Sequence, residues 1–220
     1  MHSHTHSPES PAQTKGLLIR WARFYDSVVN ILTLGQARRL RNMTIDLAML
    51  KSGENLLDVG CGTGGVTIPG KKRVGQNGKA AGIDPSPEMI AVASQKANRM
   101  GLEIDFRLGV IETLPYPDAS FDVVTSSLMM HHLPQDLQVK GMAEIYRVLK
   151  PGGRLLIADT LRPSGFILKG LFASLAKHHG IKFDIEDLPE MIRSAGFSTA
   201  TLLEERFLML GFVRALKLPA

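Results

Sequence analysis

A doubly wound α/β domain, with a mostly parallel sheet and helices on both faces, is the fold class the sequence predicts. Three observations predict it. Strand-like apolar runs alternate with helical runs along the chain, and the run Leu56-Leu57-Asp58-Val59 opens straight into a glycine-rich turn from Gly60 to Gly65. Acids also stand where strands end, at Asp84 and Asp159. In sheets of this class ligands sit beyond the carboxyl ends of the strands, so the same features that predict the fold also locate a site.

The elements follow in order. Met1 to Thr14 is polar and contains proline, and reads as a disordered tail over residues 1–14. Trp21 to Leu50 carries an apolar stripe at helical spacing and predicts a helix pair broken near Gly35. Asn55 to Val59 reads as a buried strand, and a helix starts at Gly64, to be shortened or kinked by Pro69-Gly70. Lys79 to Ile83 is the second strand, ending at Asp84. Pro85-Ser86-Pro87-Glu88 then opens a helix over Met89 to Met100, with a proline and an acid in its first turn. Ile104 to Leu108 and Phe121 to Thr125 are further strands. A helix over Gln135 to Leu149 is ended by Lys150-Pro151-Gly152-Gly153, and the strand Arg154 to Ala158 delivers Asp159 to its end. The chain closes with a helix over Asp184 to Ala195 and two antiparallel strands, Thr199 to Leu203 and Phe207 to Ala215.

The 220 residues fit one domain over 15–220, large enough to bury a core without disulfides or metals. Hydrophobic residues make up 44% and charged residues 21%, and the mean hydropathy is +0.03, as in ordinary globular proteins. Cys61 is the only cysteine, so an intramolecular disulfide is excluded and a cytoplasmic setting is expected. No apolar run reaches membrane-spanning length, and the N-terminus lacks the apolar core of a secretory signal. His2, His4 and His6 alternate, but no carboxylate or cysteine completes a shell, and no metal site is expected. A net charge of +5 and a pI near 9.4 permit an acidic partner without requiring one. Arg38, Arg39 and Arg41, and Lys71, Lys72 and Arg73, read as solvated helix faces. No aromatic residues interleave them, so nucleic-acid binding is not expected.

The glycine turn carries the chemistry. Its glycines permit the positive φ angles of a sharp turn and let a flat cofactor touch the backbone. Gly60, Gly62 and Gly65 also fit the spacing of a dinucleotide-binding turn, with Asp84 downstream. Asp58 separates the two readings: a carboxylate beside this turn repels a diphosphate and attracts a cation-bearing nucleoside. Asp84 suits both hydroxyls of a ribose, the alternative being a cap on the following helix.

With these residues the chain resembles the class I S-adenosylmethionine-dependent methyltransferases. It is most similar to their quinone-biosynthesis C-methyltransferases, small-molecule methyltransferases and some phospholipid N-methyltransferases. The resemblance runs from about Phe24 to Lys217 and is most specific at Leu56 to Gly65 and Leu114 to Asp122. It implies a Rossmann-like, seven-stranded, mostly parallel sheet with an antiparallel C-terminal hairpin and N-terminal helices. On that pattern residues 15–50 form N-terminal helices and a lid, 51–160 the cofactor-binding core, 161–183 a substrate lid, and 184–220 the terminal helix and hairpin.

The implied cofactor is S-adenosylmethionine, contacted by Tyr25, Asp58, Gly60, Gly62, Thr63, Gly64, Asp84, Met89, Val110, Ile111 and Ser127. Relatives commonly have, where Val110 stands, an aspartate that accepts a hydrogen bond from the adenine amino group; valine cannot, which predicts weaker binding by about 1 kcal/mol unless the bond is replaced. His132 is the implied pocket-facing member of the His131-His132 pair and a candidate proton acceptor. Tyr25, in Phe24-Tyr25-Asp26, is implied to close over the methionine end and is the other catalytic candidate. The expected reaction is methyl transfer to a small lipophilic acceptor such as a quinol, polyketide or lipid-like molecule. A nicotinamide-dependent oxidoreductase and a non-catalytic cofactor-binding relative are the alternatives. Phe166 to His179 is apolar with a few positive charges, and is expected to line an acceptor pocket or to rest on a membrane surface.

Overall fold

The structure, a computed structural model, describes residues 22–161 and 184–219. The N-terminal tail with its histidines, Trp21 and the segment Phe166 to His179 lie outside the described residues. The sheet contains β1 (Leu56–Val59), β2 (Ala80–Asp84), β3 (Asp105–Leu108), β4 (Phe121–Ser127), β5 (Leu149–Thr160), β6 (Thr199–Leu202) and β7 (Leu210–Leu216). Their order is β3-β2-β1-β4-β5-β7-β6. The first five run parallel, and β7 lies antiparallel between β5 and β6, as expected for the terminal hairpin.

The helices among the described residues are α1 (Ala22–Leu32), α2 (Ala37–Leu47), α3 (Thr67–Val74), α4 (Pro87–Arg99), α5 (Gln135–Val148) and α6 (Leu188–Ser194). Leu56 and Leu57 point to opposite faces of β1, and each seeds a different core. Leu57 joins Val59, Ile83, Ile145, Leu155 and Val213 on one face. Leu56 joins Ile45, Val74, Val123, Leu156 and Phe212 on the other. All four residues of β1 are buried, as in the centre of a sheet covered on both faces; Asp58 is the polar exception among them.

Several boundaries differ from the sequence reading for identifiable reasons. The helix after the glycine turn begins at Thr67, not at Gly64, and spans 8 residues. Pro69 therefore falls in its first turn, where a missing N–H leaves no bond unmade, and no kink is needed. The helix predicted over Asp184 to Ala195 is a 3-10 turn, Ile185–Asp187, followed by α6. Pro189 occupies the start of α6, where its fixed φ suits the first turn. The last strand starts at Leu210, while Phe207 and Leu210 exchange backbone hydrogen bonds that make the connection from β6 a tight one.

Candidate functional site

Strand order reverses between β1 and β4, since β1 leads outward to β2 and β3 while β4 leads the other way. The strand ends diverge there, and the crevice between the following loops is where a ligand fits. Register places Val59 beside both Ile83 and Ser126, so the loops after β1, β2 and β4 start at one level.

Asp58, in the centre of β1, is buried, with Thr67 Oγ1 donating to one carboxylate oxygen at 2.7 Å and Thr125 Oγ1 to the other at 2.9 Å. Burial nevertheless pushes its carboxyl up to about 6 against those hydroxyls. An incoming cation relieves that strain. Asp84 ends β2, and its two oxygens accept the Gly62 and Ser86 backbone N–H groups, each at 2.9 Å. Burial raises its carboxyl as well, with the two N–H donors acting against it. Each oxygen retains a further lone-pair site for a ligand hydroxyl. Asp84 does not cap the following helix; Ser86 does, its Oγ accepting the Met89 N–H at 3.3 Å.

The turn itself is held open. Gly60 has φ +73°, and a Cβ there would lie 2.4 Å from Met129 Cγ. Gly62 has φ +51°, and a Cβ there would meet only the Tyr25 ring, at 3.6 Å. A cleft opens over this turn, and Tyr25, Gly60, Gly62, Asp84, Met89, Val110, Ile111 and His132 all line it. A second chamber shares Tyr25, Gly60, Gly62 and Leu128 with the first and extends past Asp58, Thr63 and Ser127.

Two of the expected residues are turned to other tasks. Gly64 lines neither chamber; it admits Ile68 and Phe106, each 3.1 Å from where its Cβ would be. Thr63 Oγ1 donates to Asp26 Oδ1 at 2.9 Å. Asp26 also accepts Arg41 Nη2 at 2.9 Å and Lys96 Nζ, which ties α1 to α2, the turn and α4. Burial raises the Asp26 carboxyl, but Lys96, Thr63 and Arg41 outweigh it and hold it below the usual carboxylate range. These partners lie 15, 37 and 70 residues away, so no local spacing announces them.

The two histidines differ in surroundings. His132 faces the cleft, but burial, with His131 beside it, pushes its imidazole down to about 4. His131 Nδ1 lies 2.6 Å from Oδ1 of the fully buried Asp159, whose Oδ1 also accepts the Thr160 N–H at 2.7 Å. The two rings are 3.9 Å apart between centroids. The Tyr25 phenol is pushed up to about 12, first by burial and then by the Asp84 charge, and stays protonated at neutral pH. Glu112 also lines the cleft, and its Oε2 is buried with no hydrogen-bond partner among the described residues. Sequence reasoning passed over Glu112 because Val110, two residues earlier, occupies the position where an acid is usual.

These features fit S-adenosylmethionine. Asp84 presents a preset carboxylate for a ribose diol, the glycine turn lets a nucleoside lie on the backbone, and Asp58 offers negative charge to the adjoining chamber. A diphosphate has no such match at the turn, because Asp58 would repel it.

Comparison with known proteins adds four findings. The family profile described as a methyltransferase domain matches residues 56–153. The chain is 35% identical over 206 residues to a demethylmenaquinone methyltransferase of Lactobacillus johnsonii, covering 89% of this chain and 83% of that protein. It is 33% identical over 211 residues to the chloroplastic 2-phytyl-1,4-β-naphthoquinone methyltransferase of Arabidopsis thaliana, covering 90% of this chain and 79% of that one. Among solved structures, a SAM-dependent methyltransferase from Aquifex aeolicus superposes with a TM-score of 0.65 at 23% identity, over 80% of this chain and 88% of its own. At that identity the likeness concerns the fold.

Proposed function

The chain belongs to the class I S-adenosylmethionine-dependent methyltransferases, in the branch of the quinone methyltransferases, and from that premise we propose that it methylates a ring carbon of a lipophilic quinol. The observation that carries the reading is the pair of acids, buried Asp58 and partly buried Asp84, flanking a glycine turn at the point where strand order reverses. S-adenosylmethionine supplies the methyl group from its sulfonium, already bonded to a good leaving group. The oxidoreductase alternative is set aside by the methyltransferase relatives and by Asp58, a carboxylate beside the turn where a dinucleotide needs bare donors.

In this reading Asp84 holds the ribose hydroxyls, Met89, Val110 and Ile111 bracket the adenine, and Gly60 and Gly62 receive the nucleoside on the backbone. Asp58 and Ser127 serve the amino-acid end, and Tyr25 covers it as a neutral phenol rather than acting as a proton carrier. The acceptor enters over β4 and β5. A quinol carbon becomes a strong nucleophile when its hydroxyl loses a proton, so a base beside that position raises the rate. His131 with Asp159 meets that need better than His132, whose buried ring takes a proton poorly at neutral pH. Incubating the enzyme with methyl-labelled cofactor and a short-chain 1,4-naphthoquinol is expected to label the ring carbon. The proposal fails if S-adenosylhomocysteine accumulates only with amine or hydroxyl acceptors.

Cofactor affinity is expected to depend on pH through Asp58. Its carboxyl titrates near 6 in the free protein and lower once a cation sits beside it, so binding releases a proton as pH drops below about 6. Affinity is therefore flat above that pH and falls up to tenfold per unit below it, as read by calorimetry. Asp58→Asn is expected to weaken binding at pH 8 and to flatten the slope. A slope unchanged in the variant assigns the titration elsewhere.

A lipid-dissolved acceptor also argues for peripheral contact with a membrane. No helix among the described residues is long and apolar enough to cross one. Phe24 and Ile31 lie exposed seven residues apart on one face of α1, with exposed Leu34 just beyond and Arg38 and Arg39 on the next helix. An apolar face edged by cations suits an anionic bilayer. Flotation with anionic vesicles is expected to carry the protein upward and Phe24→Ser/Ile31→Ser to leave it at the bottom; equal flotation of both proteins rules this face out.

A further inference from the structure

We propose that Glu112 is the residue that recognises the adenine amino group, and thereby the determinant that admits adenosine and refuses its 6-oxo analogue. The inference rests on the cofactor reading above and adds to it the identity of the base-reading side chain. The wall of the cleft between Met89 and Ile111 is apolar, suited to the faces of a flat ring. Glu112, which also lines the cleft, carries an unexplained polar atom. Glu112 Oε2 is buried and accepts no hydrogen bond from any described residue, a state that costs free energy unless a ligand supplies the donor.

The local backbone sets this placement. Val110 and Thr113 form an antiparallel bridge, with the Thr113 N–H reaching the Val110 carbonyl at 3.4 Å, so residues 110–113 make a tight turn with Glu112 in it. The side chain of Glu112 is thus returned to the cleft wall and shares it with Val110, whose own side chain offers no acceptor. An ionised carboxylate can only accept hydrogen bonds. Adenine has a single exocyclic donor, its amino group, and its ring nitrogens are acceptors. A carboxylate at the base end of the cleft therefore meets the amino group favourably, and it repels a carbonyl oxygen at the same position. Hypoxanthine carries that carbonyl.

The test compares S-adenosylhomocysteine with S-inosylhomocysteine by calorimetry on the full chain. Wild-type protein is expected to prefer the adenine compound by about 10- to 100-fold, the range of a hydrogen bond to a charged group. Glu112→Ala is expected to lose that affinity for the adenine compound and to bind the two about equally. Its thermal midpoint should not fall, since the change removes a buried oxygen that has no partner. Val110→Asp in the Glu112→Ala background is expected to restore the preference. Undiminished discrimination by Glu112→Ala overturns the inference while leaving the cofactor reading intact. Failure of the wild-type protein to bind either compound overturns both.

Discussion

Asp84→Ala is expected to cost about 3 to 4 kcal/mol of cofactor affinity, a loss of about 10²- to 10³-fold. In the proposed binding mode the ribose diol brings two hydroxyl donors to this carboxylate, and each bond to a charged acceptor contributes about 1.5–3 kcal/mol. A second effect adds to the first. The same two oxygens accept the Gly62 and Ser86 N–H groups, so the carboxylate also holds the glycine turn at the distance the nucleoside requires. Asp84→Asn keeps one acceptor oxygen and is expected to lose less. Calorimetric titration with S-adenosylhomocysteine reads both values, and a change of under threefold in Asp84→Ala would show that the ribose is held by other groups.

The next largest effect belongs to Asp159, and it appears in turnover instead of affinity. Asp159→Asn is expected to lower kcat by about 10²- to 10³-fold, within the range that general bases contribute. The carboxylate is wholly buried and its Oδ1 faces His131 Nδ1 at 2.6 Å, so it fixes the orientation and tautomer of the ring and stabilises the imidazolium that forms. An asparagine keeps the shape and removes the charge. Affinity for S-adenosylhomocysteine should stay within about twofold, because Asp159 lies beyond β4 from the glycine turn. His131→Ala is expected to match the loss, and His132→Ala to lose no more than about tenfold, because its buried ring, pushed down to about 4, is a weak base. Equal losses in His131→Ala and His132→Ala, or an unchanged kcat in Asp159→Asn, would remove the dyad from the reaction.

The parts of the fold legible in the sequence are those governed by local rules. Alternating runs placed all seven strands, and Pro87 after Ser86 marked a helix start that the structure keeps. Boundaries moved where the tertiary setting decides them: α3 gives up its first turn so that Pro69 needs no N–H partner, and Pro189 separates a 3-10 turn from α6. In the cleft, Asp58 and Asp84 were legible from the strands and the glycine turn they border, while Val110 and Ile111 entered only through the family resemblance. It was not legible where a side chain chooses among distant partners. Nothing within Thr63-Gly64 reveals that one turns to Asp26 and the other admits Phe106. Nor does the spacing of His131 from Asp159 show which histidine the acid selects.

The knot at Asp26 bears on how spent cofactor leaves. Its neighbour Tyr25 lines both chambers, and ion pairs to Arg41 and Lys96 tie that stretch of α1 to α2 and α4 through one partly exposed carboxylate. A movement of α1 that opened the chambers would break those pairs and leave the sheet undisturbed. Ion pairs at the water's edge weaken with ionic strength, so such a movement would answer to the salt content of the surroundings.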